Sequence, residues 1–490
     1  MSSHPRKTSM AWCSLFLVII VTSITDAHKL KQARKPLIKN NPFVAIWNAP
    51  TEQCKRRYNV DLDLSVFDIV INTNETLSGS NVTIFYHTHL GHYPHFTDDG
   101  HSVNGGVPQN QSLKKHLMKA RDDINKFIPD KNFKGLAVID WENWRPLWDR
   151  NWGSKDIYRS TSVKLAKEHH PDWPDTLLRK MAKEEFETAG ENFMKDTARL
   201  GQEVRPDGLW GYYLFPDCYN HDYKLSPETY TGKCPNIEMK RNDMLLWLWK
   251  ASGVLFPSIY LDIVLKGSPN ALKFVHHRVR EATRVASLAR EEYDIPVYVY
   301  ARPFYSYTLH ALTMSDLIHT IGESAALGSA GVVLWGGMQY ASTKESCTIV
   351  KNYIDDTLGR YMINVTSAAK LCSKLMCKKN GRCVRKHAHS NAYLHLNSNH
   401  FNIKKNLSGK GPSHFATGNL GDEDFIYWKN KFVCKCYEGW TGLSCELPQS
   451  EKLVQNKNTV KNSSRKSFIP ASIVLYSILQ ISLLFMYNAA

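Results

Sequence analysis

Two carboxylates follow directly on an apolar run in the middle of the chain. Asp140 ends the run that begins at Leu136, and Glu142 stands two residues further on. If the run is a β-strand, residues two apart point to the same face, so both carboxyl groups reach one site. Two carboxyl groups this close resist ionising together, and the pKa of one of them is raised. Such a pair can supply a neutral acid that protonates a glycosidic oxygen.

Tryptophans are dense around this pair, at Trp141, Trp144, Trp148 and Trp152. Aromatic rings offer large apolar faces, and such faces commonly form the floor under sugar rings. A carbohydrate site is therefore one interpretation of the segment. The other is a surface turn with two solvated acids, and the spacing alone leaves both open.

The elements that must position the pair are short apolar runs that alternate with amphipathic stretches. The runs suit strands buried on both faces, as in a parallel sheet; they cover residues 67–71, 136–140, 209–215, 257–261, 296–300 and 331–335. Helices are expected around the apolar stripe Ala182, Phe186, Ala189, Phe193, Thr197 and Leu200 and over residues 271–292, 314–327 and 345–358. This alternation predicts an α/β fold, either a (β/α) barrel or a doubly wound sheet. In a barrel, the C-terminal ends of the strands carry the catalytic groups.

The chain changes character at about residue 368, where strand–helix alternation stops. Six of the eleven cysteines fall between Cys372 and Cys445. The ending Cys434-x-Cys436, followed by Gly439, Trp440 and Cys445, resembles an epidermal-growth-factor-like (EGF-like) module. Sequence alone leaves the pairing of these cysteines open. The polar segment 384–433 is expected to be an exposed insertion.

Charge and cysteine content indicate the partner and the compartment. The formal net charge is +16, which suits a polyanionic partner. Neither zinc-finger spacing nor a glycine-rich phosphate loop is present, so nucleic acid is not favoured. Arg6 and Lys7 precede an apolar run that ends before Ala27, the layout of a signal peptide. The abundant cysteines agree with an oxidising compartment.

The C-terminal segment suggests an attachment to the membrane. Residues 468–490 are mostly apolar, and the small residues Asn462 and Ser463 lie upstream of them. This resembles a glycosylphosphatidylinositol (GPI) signal whose apolar tail is removed, and a membrane-spanning tail is the alternative. Glycosylation is expected at the sequons of Asn74, Asn81, Asn110, Asn364 and Asn406, with a further sequon at Asn462.

Several separate blocks, in order along the chain, resemble the hyaluronidases, the family that cleaves hyaluronan. The similarity runs from about residue 43 to residue 447, and its blocks are 47–50 (WNAP), 85–86 (FY), 137–142 (AVIDWE), 144–146 (WRP), 150–152 (RNW), 210–220 (WGYYLFPDCYN), 256–260 (FPSIY), 322–328 (GESAALG) and 332–335 (VVLW). The resemblance implies a distorted (β/α) TIM-like barrel followed by a small disulfide-rich EGF-like domain. Together with the two terminal segments, it gives the expected organisation: a signal peptide at 1–27, a catalytic barrel at 28–367, an EGF-like domain with a long insertion at 368–447, a polar stalk at 448–467 and an apolar tail at 468–490.

The resemblance also implies a retaining mechanism in which the substrate's own acetamide attacks the anomeric carbon, an exception to the two-carboxylate scheme. Glu142 is then the general acid and later the base, and Asp140 positions the acetamide. Tyr213 and Tyr260 hydrogen-bond near the acetamide and the reacting ring, and Trp335 packs against the acetyl group or the ring.

Three further groove residues and five disulfide bonds follow from the same resemblance. Tyr86 and Asp217 are expected in the groove, and Arg278 within reach of the substrate carboxylate or of an acidic neighbour. The implied bridges are Cys54–Cys347, Cys218–Cys234, Cys372–Cys383, Cys377–Cys434 and Cys436–Cys445.

Within the family, residues 170–174 (HPDWP), 220–223 (NHDY) and 230–235 (YTGKCP) favour the GPI-anchored hyaluronidase-2 type. One departure stands at Ser306 and Tyr307, where some strongly active relatives carry an acid. The expected partners are hyaluronan, chondroitin as a second polymer, and the cell-surface membrane through a lipid anchor. We expect a monomer without metal or cofactor. The alternative function is a weakly active or inactive hyaluronan-binding protein of the cell surface.

Overall fold

A computed structural model describes residues 30–71, 81–406 and 412–449. The predicted signal peptide, the sequon of Asn74, most of the stalk, the residues Asn462 and Ser463 and the apolar tail lie outside the described residues. Two compact units are distinguished, residues 1–446 and residues 447–490. In the second unit, the described residues include the short extended pair Leu447–Pro448. No helix among the described residues is both long enough and apolar enough to cross a membrane.

Parallel strands form the centre of the first unit. In chain order they are β1 (Val44–Asn48), β2 (Ile69–Val70), β3 (Val82–Tyr86), β4 (Leu136–Asp140), β5 (Leu209–Tyr212), β6 (Tyr298–Ala301) and β7 (Gly331–Trp335). One sheet has the order β6-β7-β1-β2, and a second has the order β3-β4-β5. The last strand, β7, therefore pairs with the first, β1. Most residues of these strands are buried, as expected for strands covered on both faces.

Residues 255–258 join the two sheets without forming a full strand. Parallel bridges link Tyr213 to Phe256, Leu255 to Val297 and Ser258 to Tyr300. The predicted strand at 257–261 is wrong in its bounds, because Pro257 has no N–H to donate to a continuous ladder. Its carbonyl still accepts from Tyr300 N at 2.9 Å.

Other predicted strands compare closely with the structure. Those at 136–140 and 331–335 have the predicted bounds. The run 67–71 shortens to β2, 209–215 shortens to β5, and 296–300 shifts to β6. The sequence patterns missed β1 and β3, whose residues were noted for similarity to a family and not for strand periodicity.

Helices follow most of the strands and cover the sheets. They are α1 (Glu52–Tyr58), α2 (Leu113–Phe127), α3 (Asp156–His169), α4 (Asp175–Val204), α5 (Asn236–Met244), α6 (Leu246–Ala251), α7 (Pro269–Ala289), α8 (Met314–Leu317), α9 (Glu323–Ala326), α10 (Lys344–Tyr353), α11 (Gly359–Met376) and α12 (Asp422–Lys431). The predicted stripe on α4 is buried except at Ala189, which is half-buried. Wider π-helical turns at Ile318–Gly322 and Ile354–Leu358 connect α8 to α9 and α10 to α11.

The segment after α11 is rich in short antiparallel pairs. Strand β8 (Gly381–Arg385) pairs with β11 (Phe432–Cys436), and β9 (Phe401–Lys405) pairs with β10 (His414–Gly418). Helix α11 runs without interruption through residue 368, where we placed the start of the second domain.

Five disulfide bonds link the described cysteines, and they are the pairs that the family resemblance implies. Three of them lie in the C-terminal segment, and Cys54–Cys347 joins α1 to α10 across 293 residues; the full set is Cys54–Cys347, Cys218–Cys234, Cys372–Cys383, Cys377–Cys434 and Cys436–Cys445.

Buried charges as well as apolar packing join the C-terminal segment to the strand-rich part of the first unit. Lys435 on β11 forms an ion pair with Asp294, which precedes β6. Burial lowers the pKa of Lys435, and Asp294 opposes that change. This contact crosses residue 368, at which a new domain was expected, and residues on both sides of it lie in one compact unit.

A second ion pair, which is more completely buried, also joins the C-terminal segment to the rest of the first unit. Arg385 on β8 donates to both carboxylate oxygens of Glu323 on α9, at 3.0 and 2.8 Å. The side chains are 2% and 0% exposed. His276 Nδ1 lies 2.7 Å from the same carboxylate. A buried charge needs such a partner, because its desolvation is otherwise uncompensated.

Replacing Arg385 with Met should therefore lower the free energy of unfolding by about 3–5 kcal/mol. The variant leaves the Glu323 carboxylate buried without its guanidinium. Urea unfolding followed by tryptophan fluorescence measures the effect. The matched control is Lys351→Met, which breaks the more exposed pair with Asp355 and should cost about 0.5 kcal/mol. An equal loss of unfolding free energy in both variants would contradict the stabilising role of the buried Arg385–Glu323 pair.

Candidate active site

A groove opens where the parallel strands end. Its volume is about 630 Å³. In the register of β3 and β4, Tyr86 lies opposite Asp140, and both are the last residues of their strands. Trp335 ends β7 in the same way. All eight residues expected at the site line this groove: Asp140, Glu142, Tyr213, Tyr260, Trp335, Tyr86, Asp217 and Arg278.

The carboxyl side chains of Asp140 and Glu142 line the groove. The residue between them, Trp141, points in the opposite direction. Trp141 is 2% exposed, and its ring stacks on Tyr93 with centroids 4.6 Å apart and lies 5.7 Å from the Tyr212 ring. Asp140 is half-buried, whereas Glu142 is exposed. The alternation predicted from a strand thus continues for two residues beyond the end of β4.

Burial and the neighbouring carboxyl of Glu142 raise the pKa of Asp140 to about 8, against the opposing charge of Arg145. Two carboxyl groups this close to each other resist ionising together. We therefore expect the pair to hold one proton at neutral pH.

Two cations hold the backbone that follows β4. Arg145 Nη1 donates to the Glu142 carbonyl at 2.9 Å, and Lys155 Nζ donates to the Glu142 and Asn143 carbonyls at 2.5 and 2.9 Å. Burial, together with the charge of Arg145, lowers the pKa of Lys155 to about 8. Arg145 Nη2 lies 3.9 Å from the Glu142 carboxylate, beyond hydrogen-bonding distance.

Tyrosines form another part of the groove wall. The ring of Tyr213 lies 4.9 Å from that of Tyr300 and 6.4 Å from that of Tyr260. Burial raises the pKa of Tyr213, and the charge of Glu142 raises it further. Burial likewise raises the pKa of Tyr260. These hydroxyls therefore remain protonated and can donate hydrogen bonds in the groove.

Tyr86 and Trp335 complete the wall beside the pair. Burial raises the pKa of the Tyr86 hydroxyl, and the charge of Asp140 adds to this effect. The Trp335 ring stacks against Tyr260 with centroids 6.0 Å apart. The groove thus combines protonated donors with a flat apolar face.

Asp217 lies in the groove with its carboxylate already engaged. Arg150 Nη2 donates to it at 3.1 Å, Arg278 Nη1 lies 3.4 Å away, and the N–H groups of Cys218 and Tyr219 donate to it at 2.8 and 3.1 Å. Burial alone would raise the pKa of Asp217, but the two arginines outweigh it and the pKa is lowered. Asp217 is therefore ionised and forms ion pairs with both arginines.

Arg278 has the acidic neighbour that the sequence allowed for, in Asp217. Its remaining N–H groups donate to Asn220 Oδ1 at 2.8 Å and the Ser258 carbonyl at 3.0 Å, and its Nη2 lies 3.0 Å from His221 Nε2. The guanidinium is thus largely occupied by the protein. It shapes the groove floor more than it offers free donors to a ligand.

Tyr300 and Arg302 are among the groove-lining residues that sequence reasoning missed. They stand two apart at the end of β6, as Asp140 and Glu142 do at the end of β4. The same two-residue period, applied to the strand predicted at 296–300, would have found them.

Four of the predicted glycosylation sites are among the described residues, and none of these four lines the groove. Asn81 and Asn110 are exposed and Asn406 is half-buried. Asn364 is half-buried on α11, and its side-chain oxygen accepts from Leu396 N at 2.8 Å.

One cluster in the C-terminal segment has side chains that could ligate a metal, His400, Glu423 and Asp424. His400 Nδ1 lies 2.5 Å from Asp424 and Nε2 lies 3.3 Å from Glu423, so its two nitrogens face different carboxylates. Asp424 also accepts from Gly421 N at 3.0 Å. This geometry caps the start of α12.

Comparison with known proteins identifies the family of the chain. The profile of the hyaluronidase family, glycoside hydrolase family 56, matches residues 32–449. A hyaluronidase of Echis ocellatus is 58% identical over 435 residues, which are 89% of this chain and 97% of the relative. Hyaluronidase-1 of Cerastes cerastes is 57% identical over the same length and coverage.

Solved structures give the same relationship. Bee venom hyaluronidase in complex with a hyaluronic acid tetramer is 32% identical with a TM-score of 0.55, covering 65% of this chain and 98% of that chain. The chain therefore belongs to the hyaluronidase family and is an enzyme of the glycoside hydrolase class.

Proposed function

We propose that this enzyme cleaves β-1,4 N-acetylhexosaminide bonds inside hyaluronan chains, with retention of configuration and assistance from the substrate. The observation that carries the proposal is that the carboxyl side chains of Asp140 and Glu142 line the same groove, at the end of β4. The bee venom relative, which was solved with a hyaluronic acid tetramer, supports hyaluronan as the polymer. Chondroitin, which also alternates uronate and N-acetylhexosamine, belongs to the same substrate class.

In the proposed reaction, the acetamide oxygen of the N-acetylglucosamine unit attacks its own anomeric carbon. The bond from that carbon to the leaving oxygen breaks, and Glu142 transfers its proton to that oxygen. A water molecule then attacks the anomeric carbon, and the bond from that carbon to the acetamide oxygen breaks, which restores the acetamide. Glu142 takes the proton of the water, which restores the acid. No protein nucleophile is required. The exposure of Glu142 to the groove supports this role.

Asp140 is proposed to hold the acetamide and to stabilise the positive charge that develops on it. Tyr213 and Tyr260 donate hydrogen bonds near the acetamide and the reacting ring, and Trp335 packs against the acetyl methyl or the ring. Tyr86 lines the groove beside Asp140. The raised pKa values of the three tyrosines support donation at neutral pH.

Glu142→Gln should lower kcat for hyaluronan by about 100-fold or more, because the amide cannot transfer the proton. Binding should change little. Reducing-end release from size-defined hyaluronan measures the rate, and the exposed variant Glu184→Gln is the matched control. A Glu142→Gln variant that cuts as fast as the wild type would remove Glu142 from the mechanism. A wild type that binds hyaluronan but releases no reducing ends at any pH would favour the alternative, a cell-surface binding protein.

Asp140→Asn should move the alkaline limb of the kcat/KM profile to lower pH by about 1–3 units. The pKa of Asp140 is raised, so the pair retains its proton until pH rises through that raised value. Without the Asp140 carboxyl, the two groups no longer share a proton up to that pH, and the remaining activity is also reduced. Full pH profiles of this variant and of Asp149→Asn, outside the groove, test the prediction. An unmoved limb would contradict a shared proton.

For the fold, we infer a distorted (β/α) barrel at 28–367 with an EGF-like domain at 368–447. The pairing of the last strand with the first and the chain-order neighbours along both sheets support the barrel. The three C-terminal disulfides and the β8–β11 pair support the EGF-like module.

We further propose that the protein is a monomer of the GPI-anchored hyaluronidase-2 type, held at the cell surface. The small residues Asn462 and Ser463 before the apolar stretch 468–490 support this. Phosphatidylinositol-specific phospholipase C should then release most of the enzyme from intact expressing cells, as measured by immunoblot of the medium. Retention on the cells, alongside release of a known GPI-anchored protein, would favour a membrane-spanning tail.

A further inference from the structure

The cations that line the groove differ in whether the protein neutralises them. Lys224 lies 2.9 Å from Asp262, and Arg278 lies 3.4 Å from Asp217. Arg302 also lines the groove, but within the described part of the chain it pairs with no carboxylate. Among the described residues, the charge of Arg302 therefore has no anionic partner.

Arg302 is buried despite lacking such a partner. It is 4% exposed, and its Nε atom has no hydrogen-bond partner among the described residues. Its guanidinium lies 4.8 Å from the ring centroid of Trp335, 5.4 Å from that of Tyr307 and 5.5 Å from that of Tyr260. Aromatic faces attract a cation but do not use the in-plane N–H groups. Those N–H groups suit a carboxylate, which guanidinium binds through two parallel hydrogen bonds.

Tyr307 is the exposed member of this set. It is 92% exposed and has a φ of 60°, in the left-handed region that non-glycine residues seldom adopt. The turn is held by Ser306 N to the Leu261 carbonyl at 2.8 Å and by Thr308 N to the Tyr305 carbonyl at 3.1 Å. An aromatic ring thus stands at the groove rim, directly beside a buried cation.

We propose that Arg302 binds the carboxylate of an acidic sugar unit in the groove, with the Tyr307 ring packed against that sugar. The inference rests on the proposed function for the identity of the polymer. Trp335 contacts Arg302 and also forms the wall proposed to meet the N-acetylglucosamine unit. The acidic sugar is therefore the one that adjoins this unit along the polymer. A carboxylate there neutralises the charge that the protein leaves uncompensated.

The test compares two hexasaccharides, native hyaluronan and a form whose carboxylates are reduced to alcohols. Binding is measured by calorimetry in the Glu142→Gln background, so that cleavage does not interfere. Arg302→Gln should weaken binding of the native hexasaccharide about 10- to 100-fold. Binding of the reduced form should change by less than about twofold. The control Lys164→Gln, on the exposed face of α3, should affect neither ligand by more than about twofold.

Equal weakening of both ligands, or no weakening of either, would overturn the carboxylate site. Arg302→Gln could also fail to fold, so the same pair of ligands is compared with Arg302 intact. If the Glu142→Gln protein, in which Arg302 is intact, binds both hexasaccharides equally well, the proposed carboxylate site is also overturned. Turnover is assayed separately on the wild type. If the native ligand is preferred but no reducing ends are released, the carboxylate site is supported and the proposed hydrolysis is contradicted. If hyaluronan is cleaved but the native ligand is not preferred, the hydrolysis is supported and the carboxylate site is contradicted.

Discussion

Parallel, in-register strand pairing is the constraint on which the groove depends. In a parallel sheet every strand ends at the same edge, so side chains that are distant in sequence meet there. Tyr86 and Asp140 are register partners at the ends of β3 and β4, and Trp335 ends β7 opposite Asn48. A slip of one residue in β4 would turn Asp140 away from the groove and Trp141 into it. The packing of Trp141 against Tyr93 opposes such a slip.

Charge balance around the groove explains which acidic groups can do chemistry. Asp217 is held ionised by two arginines and two backbone N–H groups, so it is unsuited to proton transfer at neutral pH. Asp140 has the opposite environment, because burial and Glu142 both raise its pKa. The same groove therefore contains an ionised carboxylate that binds two arginines, Asp217, and a pair of carboxyl groups that retains a proton, Asp140 and Glu142. Such divergent environments are typical of catalytic carboxyl groups.

Local patterns in the sequence determined the features that depend on near neighbours. The two-residue period put Asp140 and Glu142 on one face, and continuous apolar runs located β4 and β7 with the bounds that the structure has. Similarity to a known family supplied the disulfide pairs and the other six groove residues, which periodicity alone could not assign. The strand at 257–261 failed because one proline outweighs the apolar pattern around it.

Only the tertiary structure decided how the charges are paired. Asp217 meets Arg150 across 67 residues of chain and Arg278 across a similar stretch, and no local spacing signals such contacts. The stacking of Arg302 among Tyr260, Tyr307 and Trp335 likewise brings together residues from separate parts of the chain. Burial and long-range neighbours set the pKa of a carboxyl and the freedom of a guanidinium. The sequence could therefore name the residues of the groove, but only the packed structure reveals which of them already have a partner.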